Sequence, residues 1–122
     1  MNIQHVLIEA DNKQNFFLLM GDFLDAFYCA DSLERERMAQ CETIPSADRI
    51  YIAYAASAIH KLCNDYGLST PEWVFDNQCY LYDKPYFGCN AKDSLRLLFM
   101  YKSPIEFKHR NLFVDENILS RV

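Results

Sequence analysis

From Ile50 to Ile59 every residue except Ser57 is apolar. That run is too long for a typical strand, and it lies between Pro45-Ser46 and Gly67. It predicts a helix over about 47–66 that is apolar nearly all round, which belongs at the centre of a bundle with neighbours on several sides. Ala53, Ala55, Ala56 and Ala58 allow other helices to approach, while Tyr51, Tyr54, Ile59 and Leu62 fill the gaps.

The other elements arrange themselves around this helix. Ile3, Val6 and Leu7 have helical spacing and predict a short first helix. Asp11, followed by Gln14, reads as a capping box that opens a second helix, in which Phe16, Leu19, Met20, Phe23, Leu24 and Phe27 form an apolar stripe. Gly21 inside that stripe marks a close helix crossing. Asp31, with Glu34 three residues on, opens a charged unit that is either an exposed helix or an extension of the second. Ser46 is the expected cap of the central helix and Gly67 its stop. Thr70-Pro71 starts a short turn that carries Trp73 onto the bundle. Residues 76–90 form an irregular segment rich in tyrosine, either laid over the core or used as a binding surface. Asn90 opens a further helix with Leu95, Leu98 and Phe99 facing in. Ser103-Pro104-Ile105-Glu106 then reads as a cap, a first-position proline and a capping box, and an apolar plug, Leu112 to Val114, follows. The expected fold is all-α, a compact bundle of five to six helices in a single domain over 1–122.

Composition agrees with this reading. The chain is 51% hydrophobic with three glycines and four prolines, so it carries a core and few of the tight turns a many-stranded sandwich needs. Its net charge of −5 lies in the first part. Residues 1–66 hold ten acids and five bases, and residues 67–122 hold seven of each. An acidic half disfavours nucleic acid and suits a basic protein partner. The five cysteines follow no framework spacing and no basic leader opens the chain, so the expectation is a cytoplasmic protein with reduced, mostly buried thiols and no membrane span.

Chemical motifs are sparse. No glycine-rich phosphate loop is present. His60 and Cys63 have the spacing of half a zinc site, but no second close pair completes it, so no metal is expected. No cysteine has a neighbouring base in sequence, and Asp22 with Asp25 reads as a helix-surface pair. Lys102, Lys108, His109 and Arg110, with Phe107 among them, have the composition of a phosphate-contacting and base-stacking patch.

FLDAFY (Phe23 to Tyr28), the alanine-rich central helix, STPEWV (Ser69 to Val74), KPYF (Lys84 to Phe87), SLRLLF (Ser94 to Phe99) and the segment from Ser103 to Val122 together resemble a family of small bacterial proteins. The resemblance covers residues 15 to 122 and is to antitoxin-like proteins, partners of nucleotidyltransferase-type toxins that are sometimes joined to an N-terminal helix-turn-helix. This chain departs from the joined form, since its first ten residues leave no room for such a domain. The resemblance implies a non-enzymatic helical protein, without a cofactor, that binds and neutralises another protein.

The reading is therefore a protein-binding module, antitoxin-like, whose acidic half complements a basic toxin enzyme. Tyr80, Tyr82, Tyr86, Phe107, Lys108 and Arg110 are the expected partner-binding anchors, of the residue types enriched at hot spots. The alternatives are a nucleic-acid-binding or regulatory protein using the 102–110 basic segment, and a metalloprotein built on His60 and Cys63.

Overall fold

The computed structural model describes residues 1–88 and 92–121. The chain is an all-α bundle: α1 (Ile3–Glu9), α2 (Lys13–Cys29), α3 (Ser32–Met38), α4 (Arg49–Tyr66), α5 (Asp93–Lys102) and α6 (Ile105–His109), with 3-10 turns at Glu72–Phe75 and Asn77–Cys79. A two-residue parallel pair, β1 (Tyr86–Phe87) with β2 (Leu112–Phe113), is added to the helices, with Tyr86 opposite Leu112 and Phe87 opposite Phe113.

The central helix is α4. Ile52 to Ile59 are all buried, and α4 packs against α1, α6 and both 3-10 turns. Ser57, the one polar residue of that run, donates its hydroxyl to the carbonyl of Ala53 (2.8 Å), so no buried polar atom is orphaned there. Gly67 closes the helix at φ 67°, a left-handed position that favours glycine. The α2 stripe meets α4 through aromatic rings: Phe16 stacks on Tyr51 at 4.6 Å between centroids and lies edge-on to Tyr54 at 5.6 Å. Ile3, Val6 and Leu7 of α1 are buried as their spacing predicts.

Several caps fall elsewhere than the sequence suggests. Asn12, not Asp11, caps α2, its side chain accepting from Asn15 N–H. Asp48, not Ser46, caps α4. Thr70 caps nothing: Pro71 precedes the first 3-10 turn without a side-chain hydrogen bond. Asp31 caps α3 as expected. That helix is separate from α2, and its Arg35 turns back to donate to the Phe27 and Tyr28 carbonyls (2.9 and 3.0 Å), satisfying the open end of α2.

Ser103 does not cap α6 either. Its hydroxyl is buried, accepts the Val114 N–H at 2.8 Å and donates toward the Phe99 carbonyl, with the Val114 carbonyl 2.9 Å away. One side chain thus ties the end of α5 to the plug after β2. The 76–90 segment is tied down in the same region: Tyr86 N–H donates to the Asn111 carbonyl (3.0 Å), Leu81 N–H to the Arg110 carbonyl (3.3 Å), and Asn111 Nδ2 to the Leu81 carbonyl (3.2 Å). Asn90, read as the start of α5, lies outside the described residues, as do residues 89 and 91.

Candidate protein interface

Helix α5 is where sequence and packing diverge. Its sequence, DSLRLLFMYK, is apolar on most of its circumference, a pattern that ordinarily means burial from several sides. Among the described side chains of α5 only Phe99 is buried. Leu95 and Leu98, expected to face in, are exposed (39% and 46%), and so are Leu97 (69%), Met100 and Tyr101 (80%). Ile105, at the start of α6, is exposed as well. Among its contacts with the body are those of Phe99, of Ser103, of the Tyr101 carbonyl and Lys102 at its end, and of the Arg96 guanidinium, which lies 4.8 Å from the centre of the Phe87 ring. Phe87 in turn stacks on Phe113 at 5.2 Å, so the platform beneath α5 is the parallel strand pair.

Ten residues form a marginal helix without tertiary support, and a contiguous run of large apolar side chains in water is costly to leave uncovered. The rim is basic. Lys92, Arg96 and Lys102 are exposed and Lys108 is half-buried, its Nζ donating to the Tyr101 carbonyl at 2.7 Å. Lys102 faces Glu116 at 3.9 Å, with both side chains about half exposed. All ten acidic residues of the 1–66 half are exposed, so the charge asymmetry in the sequence is carried by the surface.

The six anchors expected from sequence separate into two groups. Tyr82 is exposed (65%), Tyr80 and Tyr86 are half-buried, and Lys108 reaches the surface beside α5. Phe107 and Arg110 do not. Phe107 is fully buried and edge-on to Tyr54 at 5.3 Å. Arg110, 1% exposed, donates to the Val74 carbonyl from Nε and Nη2 (3.3 and 2.8 Å) and to the Glu106 carbonyl from Nη1 (2.9 Å). Its guanidinium lies 5.0 Å from the Tyr80 ring centre. These two residues hold α6 to α4 and the 3-10 turns. The 102–110 segment therefore presents neither its arginine nor its phenylalanine, and the phosphate-plus-stacking arrangement is not assembled.

The remaining candidates resolve into structure. His60 Nδ1 is 3.2 Å from Arg110 Nη1, which makes it the acceptor and leaves the imidazole neutral; burial, then the Arg110 charge, lowers its pKa below the usual 6.5. Cys63 is buried, with its thiol pushed up to about 11 by desolvation first and then Glu36. Cys79 is pushed up to about 12, again chiefly by burial. Neither is poised as a thiolate. No group of three metal-ligating side chains comes together among the described residues. Asp25 is held by Arg121, whose Nε and Nη2 donate to its two oxygens at 3.0 and 3.2 Å and lower its pKa. Among the described residues no helix is long and apolar enough to cross a membrane.

Comparison with protein-family models, curated proteins and solved structures finds no match to this chain.

Proposed function

We propose that this protein is a non-enzymatic protein-binding module that docks its partner on the exposed face of α5. The observation that carries this reading is the exposure of Leu95, Leu97, Leu98, Met100 and Tyr101 on one ten-residue helix in which, among the described side chains, only Phe99 is buried. Large apolar side chains with a basic rim suit a partner surface that offers an apolar groove edged by carboxylates. Tyr101 and Met100 are of the types enriched in interface cores.

The narrower form is an antitoxin-like protein that binds and neutralises a basic toxin enzyme. It rests on the resemblance of residues 15–122 and is supported by the ten exposed acids of residues 1–66, which give a basic enzyme a second, electrostatic contact. The enzyme would then touch α5 through an acidic, apolar patch of its own.

The test is capture of the partner from the source organism by the tagged chain and by its Leu97→Glu/Tyr101→Ala variant, followed by titration of the isolated pair. A stoichiometric complex that the variant weakens at least tenfold, and that salt weakens further, is expected. A complex that the variant binds as the wild type does would remove α5 from the interface. Self-association by sedimentation, abolished in the variant, would assign the face to a second copy and overturn the partner reading.

A further inference from the structure

A second site, independent of α5, lies between α2 and the C-terminal segment. A cavity of about 380 Å³ opens there, within the size range of small-molecule sites. Its walls are apolar: Phe17, Met20 and Leu24 from α2, Tyr54 from α4, and Val114 and Ile118 from the segment after β2. Two cations, Lys13 and Arg121, complete the lining.

Each cation is placed with capacity to spare. The Lys13 ammonium lies 5.8 Å from the Tyr86 ring centre, and no carboxylate pairs with it among the described residues. Arg121 uses Nε and one Nη2 proton on Asp25, which leaves the Nη1–Nη2 edge of the guanidinium unengaged. That edge is the one that receives a carboxylate end-on with two parallel hydrogen bonds. Gly21 accounts for the position of the guanidinium. A Cβ built there would sit 3.2–3.3 Å from Nη2, Cζ and Nη1, and three near-equal distances place the guanidinium face-on to the helix. The glycine inside the α2 stripe is the bed on which Arg121 lies.

We infer that this cavity binds a small carboxylate with an apolar tail, the tail between Phe17, Leu24 and Ile118 and the carboxylate between Lys13 and the free edge of Arg121. At roughly 30 Å³ for each water-sized group, the cavity holds about a dozen non-hydrogen atoms. Decanoate has that size. Asp25, with Asp22 nearby, offsets part of the Arg121 charge, so the site favours a single carboxylate over a dianion.

The test is titration of the full chain with decanoate, below its micelle-forming concentration, by calorimetry and by amide NMR, with decanol as the uncharged control. Saturable one-to-one binding is expected, with shifts centred on Lys13, Phe17, Gly21, Leu24 and Ile118. Decanol should bind at least tenfold more weakly, and Arg121→Gln should weaken decanoate on the order of tenfold. Arg121 is exposed, so this variant should fold; Lys13→Gln is a second variant expected to weaken binding in the same direction. Equal binding of decanoate and decanol, shifts centred on residues 95–101, no saturable binding, or both variants behaving as wild type would each overturn the assignment.

Discussion

Nη1 of Arg110 lies 3.2 Å from Nδ1 of His60, a buried guanidinium donating to a neutral imidazole across fifty residues of sequence. The pair links α6 to α4, and no carboxylate stands within ion-pair distance of Arg110 among the described residues. The cation is held instead by two backbone carbonyls, the imidazole, and the faces of Tyr80 and Phe75. Replacing Arg110 by methionine keeps much of the volume but leaves the Val74 and Glu106 carbonyls without their donor. Arg110→Met should cost about 2–4 kcal/mol, read from the urea midpoint, with Arg110→Ala at least as costly.

The same contact makes stability depend on pH. His60 has its pKa lowered in the folded state from 6.5, by burial first and then by Arg110. Between the lowered value and 6.5 the unfolded chain binds the proton that the folded chain refuses, so acidification favours unfolding. The His60 contribution is fully present above pH 6.5 and is lost as pH falls through the lowered value. Tm should therefore decline over that interval in the wild type, and His60→Asn, which still offers Arg110 an acceptor, should flatten the decline. An unchanged profile in the variant would show that His60 does not carry it.

At Gly21 two effects oppose each other. Alanine gains helix propensity of about 0.5–1 kcal/mol at an interior position. Its methyl group, however, meets the Arg121 guanidinium at 3.2–3.3 Å. That side chain is long and 42% exposed, so it can shift. Gly21→Ala should be more stable by up to about 1 kcal/mol in thermal unfolding, and in the same protein decanoate binding should weaken because Arg121 has been lifted off its bed.

Helix α5 separates packing from function. Leu97 is 69% exposed and touches little, so Leu97→Glu should change stability by less than about 0.5 kcal/mol. Phe99 is its buried side chain among those described, and Phe99→Ala should cost about 2–4 kcal/mol and lower the helical circular-dichroism signal. If both variants were equally destabilising, the exposed face would be packing against something within the chain.

Much of the bundle is legible in the sequence because its signals are local. The run from Ile50 to Ile59 with Gly67 after it defines α4, the Phe16–Phe27 stripe defines α2, and Asp31 caps α3. What the sequence misplaces depends on contacts far along the chain. Ser103 before Pro104 has the local form of a helix cap, and only the return of Val114 turns its hydroxyl inward. Arg110 beside Lys108 and His109 looks like surface charge until Val74 and Glu106 are seen to surround it. Leu95 and Leu98 are apolar, and apolarity alone does not say whether the chain or a partner covers them. Gly21, read as a helix crossing, instead receives the Arg121 side chain, and the cavity beside it is lined by residues more than a hundred positions apart.

The pairing of Tyr86 with Leu112 and Phe87 with Phe113 closes a loop of sequence that contains all of α5 and α6. Within that loop α6 is bolted to α4 by Phe107 and Arg110, while α5 is held by Phe99, Ser103, the Phe87 platform and the surface contacts of Tyr101 and Lys102. Stability should therefore be graded along the chain: in hydrogen exchange, amides of Ile52 to Ile59 are expected to exchange only when the whole domain opens, and those of α5 by releasing a few contacts. The helix that offers the docking face is also the element that can change its pose at least cost to everything else.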